Sequence, residues 1–176
     1  MKNLILVFLS VILLSACKTL VPFTQDLKND NGWKEAELKQ IQFYASNSIV
    51  LHRQLSQSET AIESGKIKIR NGKKVEEIII KKGTPGVLTS MPDGKRMAIS
   101  FEIDDSHYLT FGPYSNKGDR YYLMLKEFKK NQYAKVTYVD KAFYIAPESL
   151  NAFLQIDIKK ILKEDRKQRV AGGRKI

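Results

Sequence analysis

Thiols are almost missing from this chain of 176 residues, which holds a single cysteine, Cys17, and only two histidines, His52 and His107. A lone cysteine excludes an internal disulfide and a thiolate-held metal centre, so the fold must rest on an apolar core. The sequence has no Gly-X-Ser-X-Gly elbow, and beyond residue 17 it has no thiol. A nucleophilic catalytic set, which needs an activated hydroxyl or thiol beside a base, therefore has little to be built from. Acidic residues are outnumbered, 19 against 30 basic ones. No apolar run approaches the roughly 20 residues that a helix needs to cross a bilayer.

What is present begins with Met1 to Cys17. Lys2 gives a positive start, Leu4 to Leu14 is apolar apart from Ser10, and small residues precede Cys17. A run this short predicts a cleavable export signal over residues 1–16 and not a span. Leu14-Ser15-Ala16-Cys17 resembles the lipobox of bacterial lipoproteins. The resemblance implies cleavage before Cys17 and acyl chains on its thiol and new amino group, which tie the protein to a membrane. Lys18-Thr19-Leu20 lacks both the acidic run that sends such proteins to the cell surface and the aspartate that keeps them at the inner membrane. The implied place is the outer membrane, on the periplasmic side. Export also excludes nucleic acid as a partner. The basic surplus is then matched to a partner protein's acidic face, to acidic glycan or to lipid headgroups.

Residues 17–31 are polar and without period, which predicts a lipidated tether. A single β-rich domain is expected over residues 32–158 and a basic tail over 159–176, where eight basic residues meet two acidic ones. The domain opens with an amphipathic helix capped by Asp30 or Asn31, with Leu38, Ile41, Tyr44 and Ala45 at helical spacing. Trp33 at its start is read as a packing anchor, with a ligand-stacking platform as the other reading.

From Ser48 the period becomes two. Strands are expected around Ile49–Leu51, Ile67–Ile69, Val75–Ile80, Val87–Met91, Met97–Ile103, Tyr108–Phe111, Tyr121–Leu125, Lys135–Val139, Ala142–Ala146 and Leu154–Ile158. Asn71-Gly72, Pro92-Asp93-Gly94 and Asp140-Lys141 are hairpin signals, and Thr84-Pro85-Gly86 fits a type II turn. Met97, Ile99, Phe101 and Ile103 alternate with Ala98, Ser100 and Glu102, the pattern of a half-buried antiparallel strand. Eight or more short strands with one N-terminal helix predict a mainly β fold, an antiparallel sandwich or small barrel. The strand, Gly-Thr-Pro-Gly turn and hairpin between Val75 and Glu102 resemble part of a Src-homology-3-like barrel, which implies a small binding domain.

Few groups suggest chemistry. Asp104, Asp105 and His107 form a candidate metal trio in a turn, while His52 reads as an ordinary strand histidine. Glu76 and Glu77 are adjacent on a strand, point to opposite faces and so do not act together. Their expected role is solubility and cross-strand pairing with Lys66, Lys68 or Arg70. Aromatic residues among lysines are the better lead. Tyr114, Tyr121, Tyr122 and Tyr133 are candidate contact residues for a protein partner or acidic glycan. Lys159, Lys160, Lys163, Arg166, Lys167 and Arg169 are candidates for electrostatic docking, with a solvated tail as the plain alternative. No cofactor is called for. The expected function is non-enzymatic: binding or bracing a partner in an envelope assembly, with glycan binding as the alternative and a metal-dependent enzyme last.

Overall fold

β-Branched and aromatic residues at period two give short strands, and frequent turns fold them against one another. The computed structural model describes residues 19–55, 66–70, 73–129, 133–159 and 161. Among the described residues the strands are β1 (Leu20–Pro22), β2 (Phe43–Ala45), β3 (Ile49–Gln54), β4 (Lys66–Arg70), β5 (Lys73–Ile80), β6 (Pro85–Ser90) and β7 (Met97–Ser100), followed by β8 (Tyr108–Tyr114), β9 (Arg120–Leu123), β10 (Glu127–Lys129), β11 (Tyr133–Tyr138), β12 (Lys141–Ile145) and β13 (Leu154–Asp157). Two short helices, α1 (Gln25–Asp30) and α2 (Glu35–Leu38), lie between β1 and β2. The strands form two antiparallel sheets, ordered β1-β13-β2-β6-β7-β8-β9 and β10-β11-β12-β3-β5-β4. Single bridges Thr24↔Arg120 and Tyr122↔Phe153 bring β9 back toward the other edge of the first sheet. They make no continuous ladder, and the architecture is sandwich-like, not a closed barrel.

The chain divides into two units. Residues 20–156 carry the sheets; the other unit takes in residues up to Thr19 and from Asp157 onward. Of the latter, Lys159 is exposed and its N–H donates to the Asp157 carboxylate at 3.2 Å. No described helix is long and apolar enough to cross a membrane.

The folded unit starts earlier than the composition predicts. Residues 20–31, expected as tether, supply β1 and α1, because Thr24 caps the helix by accepting the Leu27 N–H at 3.1 Å and because Phe23 is fully buried. Its ring lies 4.9 Å from Tyr121, 5.2 Å edge-on from Phe43 and 6.4 Å stacked from Trp33. Trp33 is thus a packing anchor. The amphipathic helix expected after Asp30 exists only as four-residue α2. Beyond Leu38 the chain extends, and Phe43, Tyr44 and Ala45 form β2 between β13 and β6. Both faces of β2 are buried, so its unbroken apolar run reads as helical spacing in the sequence.

Turn positions shift in the same physical way. The Thr84 N–H donates to the Lys81 carbonyl at 3.1 Å with Gly83 at φ +77°, so the turn lies three residues before its expected place. Pro85 and Gly86 instead open β6 opposite Tyr44 and Phe43. Gly86 is required there because a Cβ would come within 2.7 Å of the Phe101 ring and 2.8 Å of Ile99. The Asn71-Gly72 turn residues lie outside the described residues, but β4 and β5 pair with Arg70 opposite Lys73. At Pro92-Asp93-Gly94 the hairpin is as expected, with Gly94 at φ +69°. The Asp93 carboxylate accepts the Arg96 and Lys95 N–H groups at 2.7 and 3.1 Å and Arg96 Nε at 2.6 Å. These bonds, the Arg96 backbone bond foremost, lower its pKa to about 2. The Asp93 contribution to stability is therefore complete above the ordinary carboxylate range near 3.9 and is lost as pH falls toward 2. Carboxyl-detected NMR titration should find Asp93 still ionised at pH 3, and Asp93→Asn should flatten this part of the acid-stability curve.

In the β11–β12 hairpin, Tyr138 pairs with Lys141, leaving Val139 and Asp140 as a two-residue loop at φ +49° and +55°. Aspartate tolerates this left-handed region, but a β-branched side chain is strained there. Val139→Gly is expected to raise stability by about 1 kcal/mol, or about 2–4 °C in melting temperature for a chain of this size, measurable by thermal unfolding.

The half-buried strand expected over Met97 to Ile103 stops at Ser100, and all four residues of β7 are buried. The Ser100 hydroxyl faces the carbonyls of Asp104 and Glu102 at 2.9 and 3.1 Å and accepts the Glu102 N–H at 3.2 Å. Such local side-chain bonds compete with the ladder, and the chain leaves the sheet. Phe101 is half-buried and Ile103 fully exposed.

Glu76 also departs from expectation. It points to the buried side of β5 and pairs with Arg53 of β3 at 2.5 Å, their side chains 5% and 12% exposed. The guanidinium lies 5.7 Å from the centre of the Phe143 ring. Glu77, on the opposite face, is half-buried, and its partner in the β4 register is Lys66, as expected.

Candidate functional site

The β8–β9 hairpin brings aromatic and cationic side chains together. Tyr114 ends β8, a 3-10 turn spans Ser115–Lys117, Gly118 and Asp119 turn the chain at φ +68° and +51°, and Arg120 opens β9 opposite Tyr114. Period two then separates the two adjacent tyrosines. Tyr121 points inward, is fully buried, and its hydroxyl donates to Gln25 Oε1 at 2.7 Å. Burial pushes its phenol up to about 12. Tyr121 is thus a core residue and not the contact residue expected.

Tyr122 points the other way. Its ring lies 6.4 Å from Tyr114, which is 53% exposed, and 5.5 Å from Phe153. The Lys117 ammonium sits 4.9 Å from the Tyr122 ring centre and 6.0 Å from that of Tyr114, and donates to Asn151 Oδ1 at 3.0 Å. The Arg120 guanidinium lies 5.1 Å from the Phe153 ring centre. Among the described residues neither cation pairs with a carboxylate, Asp119 included. Three rings and two cations thus form one surface, suited to an anionic group flanked by apolar atoms. Of its members the sequence reading named Tyr114 and Tyr122. Lys117 and Arg120 were legible in principle from the hairpin register. Phe153 arrives from about thirty residues away through its bridge to Tyr122, and local sequence carries no sign of it.

The other candidates are dispersed. Tyr133 begins β11, and its side chain lies outside the described residues. So do Cys17, Lys160, Lys163, Arg166, Lys167 and Arg169. His52 is a strand histidine stacked 5.9 Å from Tyr144, over which Lys135 sits at 5.5 Å.

The Asp104, Asp105 and His107 trio does not assemble. His107 Nδ1 is 3.6 Å from the Asp104 carboxylate and 3.1 Å from the Ser106 hydroxyl, while Asp105 joins neither. Among the described residues no three of His, Cys, Asp and Glu group to hold a metal. The Ser106 N–H, donating at 2.7 Å, is the main cause that holds the Asp104 carboxyl below its ordinary range. His107 packs edge-on to Tyr138 at 5.7 Å, and its Nε2 is buried with no hydrogen-bond partner among the described residues. Burial, with the Glu102 carboxylate that its hydroxyl contacts, pushes the Tyr138 phenol up. These bonds hold the loop in place, with the Ser106 hydroxyl beside the His107 imidazole. Compared with protein-family models, curated proteins and solved structures, the chain matches none.

Proposed function

We propose that this is a non-catalytic envelope protein, exported by residues 1–16 and held at the periplasmic side of the outer membrane by acyl chains on Cys17. Its β domain binds a protein partner within a larger assembly, and the contact is made by Tyr114, Lys117, Arg120, Tyr122 and Phe153. The observation that carries this reading is the pair of cations, unpaired with any described carboxylate, stationed over aromatic rings on an outward strand face. Tyrosine and arginine, with tryptophan, are enriched among the few interface residues whose truncation costs about 2 kcal/mol or more. The basic residues of 159–176 add a longer-range attraction to an acidic partner.

Acidic glycan is the second reading, favoured by the single Lys117 ammonium that reaches both Tyr114 and Tyr122. Crosslinking of intact envelopes, affinity capture of the tagged full-length chain and mass spectrometry separate the two. A stoichiometric protein supports the first reading. Wall fragments in its place overturn it in favour of the second, and recovery of the chain with neither contradicts both.

A further inference from the structure

We infer that the Tyr114–Tyr122–Phe153 surface receives the Ile103 loop of a second copy of this chain, so that copies associate head to tail. The inference rests on the reading of that surface as a docking site and names its partner. Ile103 is fully exposed, although removal of an isoleucine side chain from water is favourable. The loop is not free to tuck it in. Ser100 fastens the backbone of Glu102 and Asp104, the Tyr138 hydroxyl donates to the Glu102 carboxylate, and the His107 N–H donates to the Asp104 carbonyl at 3.2 Å. The apolar side chain is held out as a knob.

Charge selects the surface that the knob fits. Glu102, Asp104 and Asp105 are exposed around Ile103 in a chain whose net charge is +11, so acid is concentrated where the knob stands. The receiving surface inverts this pattern, with rings for the isoleucine and Lys117 and Arg120 for the carboxylates. Loop and surface lie at opposite ends of β8, seven residues that span about 20 Å. They cannot meet within one copy. A contact between unlike surfaces is heterologous, so it closes into a ring or extends as a row. One loop on one surface buries less than the roughly 1,000 Å² of a stable interface. Association is thus weak in solution and is strengthened when acyl anchors concentrate copies on one membrane.

The test uses two full-length, differently tagged copies made in the same cells, one carrying Ser106→Cys and the other Ser115→Cys. Both substitutions leave Ile103 and the aromatic surface intact. After mild oxidation, mixed dimers should exceed either like pair by about tenfold, and Ile103→Asp or Arg120→Glu in those backgrounds should remove about nine tenths of them, in line with the coupling of close charge pairs at interfaces. Far-ultraviolet circular dichroism checks that these surface variants remain folded. Equal yields of like and mixed pairs, or yields unmoved by both substitutions, overturn the inference. Capture of a different protein or of glycan that depends on Arg120, with no excess of mixed dimers, overturns self-association while the docking surface stands. Loss of neither in the Arg120 variant removes both.

Discussion

Arg53→Met alone should lower stability by about 3–5 kcal/mol, and the double variant Arg53→Met with Glu76→Leu should recover most of that loss. Arg53 and Glu76 are nearly buried and 2.5 Å apart on the inner side of the β3–β5 pair. Water screens such a pair little, and removal of one member strands the other charge in a poor solvent. Removal of both exchanges the pair for apolar volume beside Phe143. Exposed ion pairs behave differently: Glu35–Lys39 at 3.0 Å, with both side chains more than 40% exposed, should contribute at most about 0.5 kcal/mol. Urea unfolding of the four chains measures the coupling directly. A single Arg53 variant that costs under 1 kcal/mol, or a double variant less stable than both single ones, contradicts the buried placement of Glu76.

Phe23→Ala should cost about 3–5 kcal/mol, the range for deleting a fully buried aromatic ring. Phe23 is where the N-terminal segment enters the core, against Tyr121, Phe43 and Trp33. The spectroscopic readout is local, because Trp33 is the only tryptophan and stacks on the ring that is removed. Its emission should shift to the red in the folded variant. If residues 17–31 were a solvated tether throughout, neither stability nor emission would change.

These two residues show where sequence reading fails. Val75 to Ile80 was legible because β-branched residues follow a hairpin signal, and Lys135 to Ala146 because two strand-forming runs flank a turn. β1, β2 and β10, with three residues each, are too short to show a period. β2 is buried on both faces, and so its spacing imitates a helix. Glu76 looked like a surface charge because nothing local reveals that Arg53, twenty-three positions earlier, sits directly across the ladder. The candidate site was half legible for the same reason: alternation distinguishes Tyr121 from Tyr122 only once a register is fixed, and Phe153 depends on a bridge between distant segments. The expected export signal and the lipobox resemblance rest on local composition alone and lie outside the described residues.

The most direct test of the proposed docking surface is a charge reversal, Lys117→Glu with Arg120→Glu, in the full-length chain, followed by quantitative capture from crosslinked envelopes. Both side chains lie on the outward side of the hairpin, so thermal unfolding should change little while recovery of the bound partner falls by about tenfold or more. An unchanged partner at unchanged yield, from a variant that folds as well as the parent, would contradict the proposal that this surface makes the contact.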